Sequence, residues 1–193
     1  MRFNLKFILP LALSLFAFTS LQAQTRGNDM DAKAVMVGGQ AMYPQKNIVA
    51  NAVNSADHTT LVAAVKAAGL VETLQGEGPF TVFAPVNDAF ENLPEGTVET
   101  LLMPKNQEQL TTVLTYHVVA GNYTLSDLKK LIRQGKGQAT LTTVSGDKLY
   151  AMMNGPSNIV LKDENGNTAN IIVYDVMQSN GVIHTLDAVV LPK

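Results

Sequence analysis

The sequence predicts an α+β domain in which helices precede an antiparallel sheet, and three observations predict this class. Apolar residues recur at helical spacing in the region that begins at Asn47. After Gly137 the chain changes to β-rich segments separated by turn dipeptides, which supply the positive φ angles of tight hairpins. The dense pattern runs to Pro192 without an internal repeat, which indicates one domain. Helices segregated ahead of antiparallel strands are typical of the α+β class.

Residues 1–23 have the pattern of a secretory signal peptide. Arg2 and Lys6 give a basic start, Phe7–Phe18 is apolar apart from one serine, and Ala23 is a suitable cleavage point. An uncleaved membrane anchor is the alternative, but a core of this length spans only ~18 Å of a ~30 Å hydrocarbon layer. We therefore expect a secreted or periplasmic protein that keeps no transmembrane anchor after cleavage of the signal peptide.

The segment between this peptide and the domain predicts a linker or mobile arm over residues 24–46. It has no sustained apolar period, and it contains Gly38, Gly39 and Pro44. The folded domain is expected over residues 47–193.

The expected helices lie in the first part of the domain. Asp57, Asn87, Thr97 and Ser126 are in position to cap four of them, and Gly69 is in position to end the first. A short apolar segment, Thr81–Ala84, predicts a strand that is buried on both faces. The predicted helices are Thr59–Ala68, Asp88–Asn92, Val98–Met103, Gln107–Thr115 and Asp127–Gln134, with a strand over Tyr116–Val119 before the last of them.

Five strands are expected after Gly137, each bounded by glycine-containing turns such as Asn165-Gly166 and Asn180-Gly181. They are Ala139–Val144, Lys148–Met153, Asn158–Lys162, Thr168–Met177 and Val182–Leu191.

Composition and missing motifs exclude several function classes. The 193 residues include no Cys, so a disulfide, a thiolate nucleophile and a Cys-ligated metal are excluded. A net charge of −2 argues against a nucleic-acid binder that uses a basic face. The sequence has no nucleophile elbow, zincin motif, P-loop or dinucleotide fingerprint. We therefore predict no catalytic residue, no cofactor and no metal site, and a hydrolase ranks last among the functions considered.

Polar residues at 163–167 bear a faint likeness to a calcium loop. The EF-hand spacing fails, because Thr168 and Tyr174 stand where glycine and glutamate belong. We interpret this segment as a polar hairpin turn.

Two histidine positions call for separate interpretations. His184 shares a strand face with apolar residues, which predicts a neutral, hydrogen-bonded core histidine. Tyr116 and His117 leave two readings open. Tyr116 packs in the core with His117 at the surface of a strand, or the pair is an exposed aromatic–imidazole recognition patch.

Three motifs resemble those of the fasciclin-like domain family. Residues 81–90 resemble its first signature box, Tyr116-His117 lies where the family carries a Tyr-His pair, and residues 180–192 resemble its second box. The fold-defining positions of these boxes are Thr81, Phe83, Pro85, Asn87, Asp88, Phe90, Asn180, Gly181, His184 and Asp187.

This resemblance implies a wedge-shaped β-sandwich packed against several helices, and adhesion or protein binding rather than catalysis. Asp175-Val176 matches a dipeptide linked to integrin recognition in animal members of the family. Tyr116, His117, Asp175 and Val176 are therefore the expected partner-binding residues.

We expect a monomer whose partner is a cell-surface, matrix or other extracellular protein. The alternative is a domain that binds a small ligand or a cell-wall polysaccharide. Against that alternative stand the absence of Trp and the low aromatic content of 6%, which give few rings for sugar stacking.

Overall fold

A computed structural model describes residues 34–193. The predicted signal peptide lies outside the described residues, as does the first part of the predicted linker. The helices are α1 (Ile48–Ala52), α2 (Thr59–Ala67), α3 (Val71–Gln75), α4 (Asn87–Glu91), α5 (Thr97–Leu102), α6 (Gln107–Tyr116) and α7 (Leu125–Gln134), with 3-10 turns at Ala56–His58 and Pro104–Asn106. The strands are β1 (Val35–Val37), β2 (Gln40–Met42), β3 (Phe80–Pro85), β4 (Val118–Ala120), β5 (Gln138–Thr142), β6 (Lys148–Asn154), β7 (Asn158–Lys162), β8 (Thr168–Gln178) and β9 (Gly181–Leu186).

Seven strands form one sheet in the order β4-β3-β9-β8-β7-β6-β5. Neighbouring strands are antiparallel except β3 and β9, which pair in parallel along their whole length. The two edge strands of the sheet, β4 and β5, come together at one point. Val119 forms a bridge with Thr143, and the Val144 N–H donates to the Val118 carbonyl at 2.8 Å. The sheet is therefore mixed and nearly closed, and it packs against the helices as the α+β prediction requires.

Strand β3 separates two hydrophobic cores. Val82 and Ala84 face the helices α1, α2, α3 and α6, whereas Phe83 faces a second core enclosed by α7 and the strands β5 to β8. Both faces of β3 are buried, as its short apolar sequence predicts.

Residues 35–42 form a hairpin where the sequence predicts a linker. Val37 and Met42 are buried in the first core, and the Gly38 carbonyl accepts a hydrogen bond of 3.3 Å from the Ala56 N–H. Two strands of three residues are too short to show an alternating apolar pattern, so the sequence gives no strand signal here. The described part of the predicted linker therefore belongs to the folded domain.

None of the four predicted helix caps is observed. Asp57 lies inside the 3-10 turn before α2, and Thr97 is the first residue of α5, so neither side chain caps its helix. Asn87 is the first residue of α4 and does not cap it. Its Oδ1 accepts from the Thr60 N–H at 3.1 Å and from the Thr59 hydroxyl at 3.2 Å, so it caps the distant helix α2. Thr124, rather than Ser126, caps α7 through a capping box with Asp127.

The ends of two elements also differ from the prediction. Tyr116 is the last residue of α6 and not the first of a strand, and β9 ends at Leu186 rather than at Leu191. The chain beyond β9 has no regular secondary structure, but the Leu191 N–H donates to the Asp163 carboxylate at 3.0 Å.

Candidate functional site

The Tyr116-His117 pair lies inside the protein. Tyr116 is fully buried in the second core, and its hydroxyl donates to the Lys148 carbonyl at 2.7 Å. Burial raises the pKa of Tyr116 to about 12. His117 is also buried, and it contacts the Tyr116 ring edge-on at a centroid distance of 6.4 Å. The pair ties α6 to the sheet, so it is not an exposed recognition patch, and the expected surface position of His117 is wrong.

His117 has a partner for each ring nitrogen. Its Nδ1 donates to the Val113 carbonyl at 2.8 Å, and its Nε2 accepts from the Val190 N–H at 3.3 Å. Burial lowers the pKa of His117 to about 4. One donor and one acceptor are the capacity of a neutral imidazole, so this ring joins the end of α6 to the C-terminal segment as an uncharged link.

Asp175 and Val176 lie at an irregularity in β8. The pairing register shifts between Val173 and Val176, and Asp175 has φ 55°, in the left-handed region. The Asp175 Oδ1 accepts from the Leu125 N–H at 2.7 Å, at the start of α7. Val176 is fully buried in the first core. Asp175 therefore positions α7, and Val176 is not accessible to a partner in this conformation.

His184 is a neutral core residue, as predicted. Its Nε2 donates to the Tyr123 carbonyl at 2.8 Å, and its Nδ1 accepts from the Asp175 N–H at 3.3 Å. The ring stacks on Phe83 at 5.7 Å and is fully buried. Burial lowers the pKa of His184.

The second box positions the helices through Asn180 and Gly181. The Asn180 Oδ1 accepts from the Ile48 N–H at 3.0 Å, and its Nδ2 donates to the carbonyls of Leu74 at 2.9 Å and Gly76 at 3.0 Å. A Cβ at Gly181 would overlap the Phe80 carbonyl oxygen of the parallel strand. Asn180 and Gly181 therefore have a structural role, because they hold helices and strands in place.

The remaining box residues also make internal contacts, except Asp88, which is exposed in α4. Thr81 donates to the Gly121 carbonyl at 2.7 Å, and Asp187 accepts from the N–H of Asn170 at 2.7 Å and from its side-chain amide at 2.8 Å. Pro85 is buried at the end of β3, and Phe90 packs against the first core. Apart from Asp88, the motif residues therefore hold the fold and do not form a contact surface.

The 163–167 segment is the turn between β7 and β8. Asp163 is buried, and its carboxylate accepts from the N–H groups of Asn165 at 2.9 Å, Asn167 at 2.8 Å and Leu191 at 3.0 Å. Within residues 34–193, no group of three His, Asp or Glu side chains could hold a metal ion. The turn uses its carboxylate to hold backbone, in agreement with the predicted polar hairpin.

A surface with binding character lies on the outward side of the strands β5 to β8. We call it the outer face. Alternate residues of these strands point inward and are buried, except Met153 near the end of β6. The other residues form one continuous surface of exposed and half-buried side chains. It comprises Gln138, Thr140, Thr142, Lys148, Tyr150, Met152, Val160, Lys162, Thr168, Asn170 and Ile172.

The outer face combines apolar and basic groups. Tyr150, Met152 and Val160 are half-buried at its centre, with Met152 directly opposite Val160 across the β6–β7 pair. Lys162 lies directly opposite Tyr150, and Lys148 lies at the same end of β6. None of the residues of the outer face carries a carboxylate, although the chain as a whole is acidic, with a net charge of −2.

A surface hollow of about 450 Å³ adjoins this face. Tyr150 and Lys162 belong to both. The β7–β8 turn adds residues 163–166, which include the acidic residues Asp163 and Glu164, and Gln138 and Lys193 complete the hollow. The outer face therefore has an apolar centre and, at one end, a polar depression that is lined by two lysines and two acidic residues.

The sequence contains one signal for the outer face, in strand β6. A strand with one solvated face alternates apolar and polar residues, but residues 149–153 read Leu-Tyr-Ala-Met-Met without interruption. Only Leu149 and Ala151 of this run are fully buried. Tyr150 and Met152 point outward, where a strand with one solvated face normally carries polar residues. Apolar residues at these positions indicate a contact surface.

Comparisons with known proteins agree with the geometry. The model of the Fasciclin domain family matches residues 56–192. Protein sll1483 of Synechocystis is 40% identical over 190 residues, which cover 94% of this chain and 97% of that protein. Transforming growth factor-beta-induced protein ig-h3 of Sus scrofa is 37% identical over 132 residues, which cover 68% of this chain but 17% of that protein.

A solved structure of a FAS1 domain pair, from the insect cell adhesion molecule Fasciclin I, shares the fold. It aligns with a TM-score of 0.67 at 19% identity, over 81% of this chain and 57% of that one. None of the helices described for residues 34–193 has the length and hydropathy needed to cross a membrane.

Proposed function

The chain belongs to the fasciclin domain family, and we propose that it is an exported, non-catalytic interaction module that binds an acidic segment of a partner protein through the outer face. Adhesion is the role named for the insect molecule of the same fold. The observation that carries the proposal is the chemistry of the outer face, which presents apolar and basic groups without a carboxylate on an acidic protein.

The composition of this face fits a protein partner. Tyr and Met are enriched in protein interfaces, whose centres are depleted of carboxylates and whose rims are polar. Tyr150 and Met152 supply such a centre, and Lys148 and Lys162 supply the basic rim. Lysines on a rim increase the rate of association with an acidic partner and make it dependent on salt.

The burial of the motif residues supports the same choice of surface. Tyr116, His117 and Val176 have no exposed surface to offer a partner, and Asp175 already uses its carboxylate on α7. A partner that contacted them would have to separate elements of the folded domain. We therefore propose that these four residues position the fold and that binding takes place elsewhere.

Site-specific photo-cross-linking tests the proposal. A benzophenone amino acid replaces Tyr150 on the outer face, and in a control protein it replaces Asn122, an exposed residue outside that face. Both proteins are added to intact cells of the source organism, and the cross-linked peptides are mapped. We expect adducts from position 150 alone, on an acidic segment of one protein, and we expect them to weaken as salt rises.

A charge reversal provides the second arm. The double variant Lys148→Glu, Lys162→Glu should lose the adduct, and the matched variant Lys105→Glu, Lys130→Glu, with both changes away from the outer face, should keep it. Equal adducts from positions 150 and 122, or an adduct that survives reversal of both lysines on the outer face, would overturn the proposal.

A further inference from the structure

An apolar cavity of about 80 Å³ lies between the helices and the sheet. Its walls come from α1, α2, α3 and α6 on one side and from β3, β4 and β9 on the other. The side chains that close it from both sides are those of Ile48, Leu61, Leu74, Val82, Leu114 and Ile183. It is separate from the outer face, which lies on other strands.

The cavity is unsuited to water. A buried water needs two to four polar partners, and most of the lining side chains are apolar. Thr115 also lines the space, but its hydroxyl donates to the Thr111 carbonyl at 2.7 Å. His117 also contributes to the wall, but both of its ring nitrogens are already paired with backbone groups. An apolar space of this size stays dry and is able to take an apolar ligand, as other apolar cavities in proteins do.

The size of the cavity fits the end of an alkyl chain. An apolar cavity of ~150 Å³ holds benzene, with its six carbons, so about half that volume accommodates roughly three carbons. A longer chain would extend from the cavity toward the surface between α2 and α3, where Val62, Leu70 and Val71 are only half-buried.

The mouth of the cavity carries one cation. Lys66, in the last turn of α2, is exposed, and it is the one charged residue that lines this space within the described chain. Thr73 of α3 is exposed at the same mouth and adds a hydroxyl. An ammonium and a hydroxyl beside an apolar space complement an anionic head group attached to an alkyl chain.

We propose that this cavity binds the alkyl end of a single-chain amphiphile with an anionic head group, and that Lys66 contacts the head group. Binding at this site is independent of the outer face. The site gives the domain a small-ligand function in addition to a protein-binding one.

Methyl NMR of the full chain with sodium decanoate below its micelle concentration tests the proposal. We expect saturable shifts at the methyl groups of Ile48, Leu114 and Ile183, and none at Val160 on the outer face. Decyltrimethylammonium, with the same chain and the opposite charge, should bind more weakly than decanoate. Absence of saturable shifts, shifts centred on the outer face, or tighter binding of the cationic probe would overturn the proposal.

Two variants separate the cavity from the mouth. Val65→Phe fills the space, so it should reduce decanoate affinity at least about tenfold, whereas Val160→Phe makes the same change on the outer face and should leave affinity unchanged. Lys66→Gln should weaken decanoate about threefold and leave decanol binding unchanged. If Val65→Phe disturbs the fold, as judged by its spectrum, the smaller change Val65→Met takes its place. Full decanoate affinity in a folded cavity-filled variant would refute the site.

Discussion

Replacing Asn180 by alanine should destabilise the protein strongly for a single polar substitution. Its side chain makes three hydrogen bonds to backbone groups of Ile48, Leu74 and Gly76, which are more than 100 residues away in the chain. A hydrogen bond of this kind contributes about 1 kcal/mol net, and loss of its partner leaves a backbone group unpaired. Because water can reach the bond to Gly76, we expect a loss of about 2–3 kcal/mol in the free energy of unfolding.

Urea unfolding followed by far-UV circular dichroism measures this change, and thermal unfolding should show a decrease of roughly 5–10 °C in Tm. Asn122→Ala is the matched control, because Asn122 is exposed and makes no side-chain hydrogen bond among the described residues. It should stay within about 0.5 kcal/mol of the wild type. Asn180→Asp keeps the acceptor for Ile48 but turns an oxygen toward two carbonyls, so it should be no more stable than the alanine variant. An Asn180→Ala protein as stable as the control would show that these bonds are replaced by water at no cost.

Three further predictions concern other contacts. Burial lowers the pKa of His117 from 6.5 to about 4, so the unfolded chain binds a proton more tightly than the folded protein does. The free energy of unfolding should therefore decrease by up to roughly 3 kcal/mol as the pH decreases from 6.5 to 4. Urea midpoints measured across this range should change less in His117→Gln, and an equal slope in both proteins would argue against this origin. Gly181→Ala should lower Tm by at least about 6 °C, because the added Cβ overlaps the Phe80 carbonyl. Gly155→Ala, with open space at its Cβ, should lower Tm less. Equal decreases in Tm would contradict the role of the close approach to Phe80. Thr124→Ala should decrease the free energy of unfolding by about 1 kcal/mol, because it removes the cap of α7. Ser126→Ala, at the position predicted from sequence to be the cap, should decrease it less. The reverse order would contradict the observed cap.

Local patterns were sufficient for much of the fold. The turn dipeptides after Gly137 placed the strands β5 to β8 to within a few residues, because a hairpin turn is specified by its own sequence. Contacts between segments that are distant in the chain cannot be predicted from local sequence patterns. Asn87 begins α4 but caps α2, and this long-range contact depends on where β3 places Asn87. The hairpin of β1 and β2 was missed because each strand has three residues.

The candidate site was harder to predict than the fold. Tyr116 and Asp175 stood out because they matched motif positions, but a motif position is often occupied for folding, and both residues make internal hydrogen bonds. The outer face depends on which side of each strand points to solvent, and a shift of one residue exchanges the two sides. The pairing of Tyr150 with Lys162 shows which side of β6 and β7 faces solvent. This pairing register cannot be read from a single sequence.

The position of β9 in the sheet has a consequence for the order of folding. Strand β9, the last of the strands described, lies between β3 and β8, so β3 gains its parallel partner only after residue 186 has been synthesised. Contacts of such long sequence separation slow folding. A ribosome-bound chain that ends before β9 would leave one edge of β3 and one edge of β8 unpaired, and the sheet can close only when the whole domain is available. Pulse proteolysis of C-terminally truncated chains should therefore find no protected sheet until β9 is present.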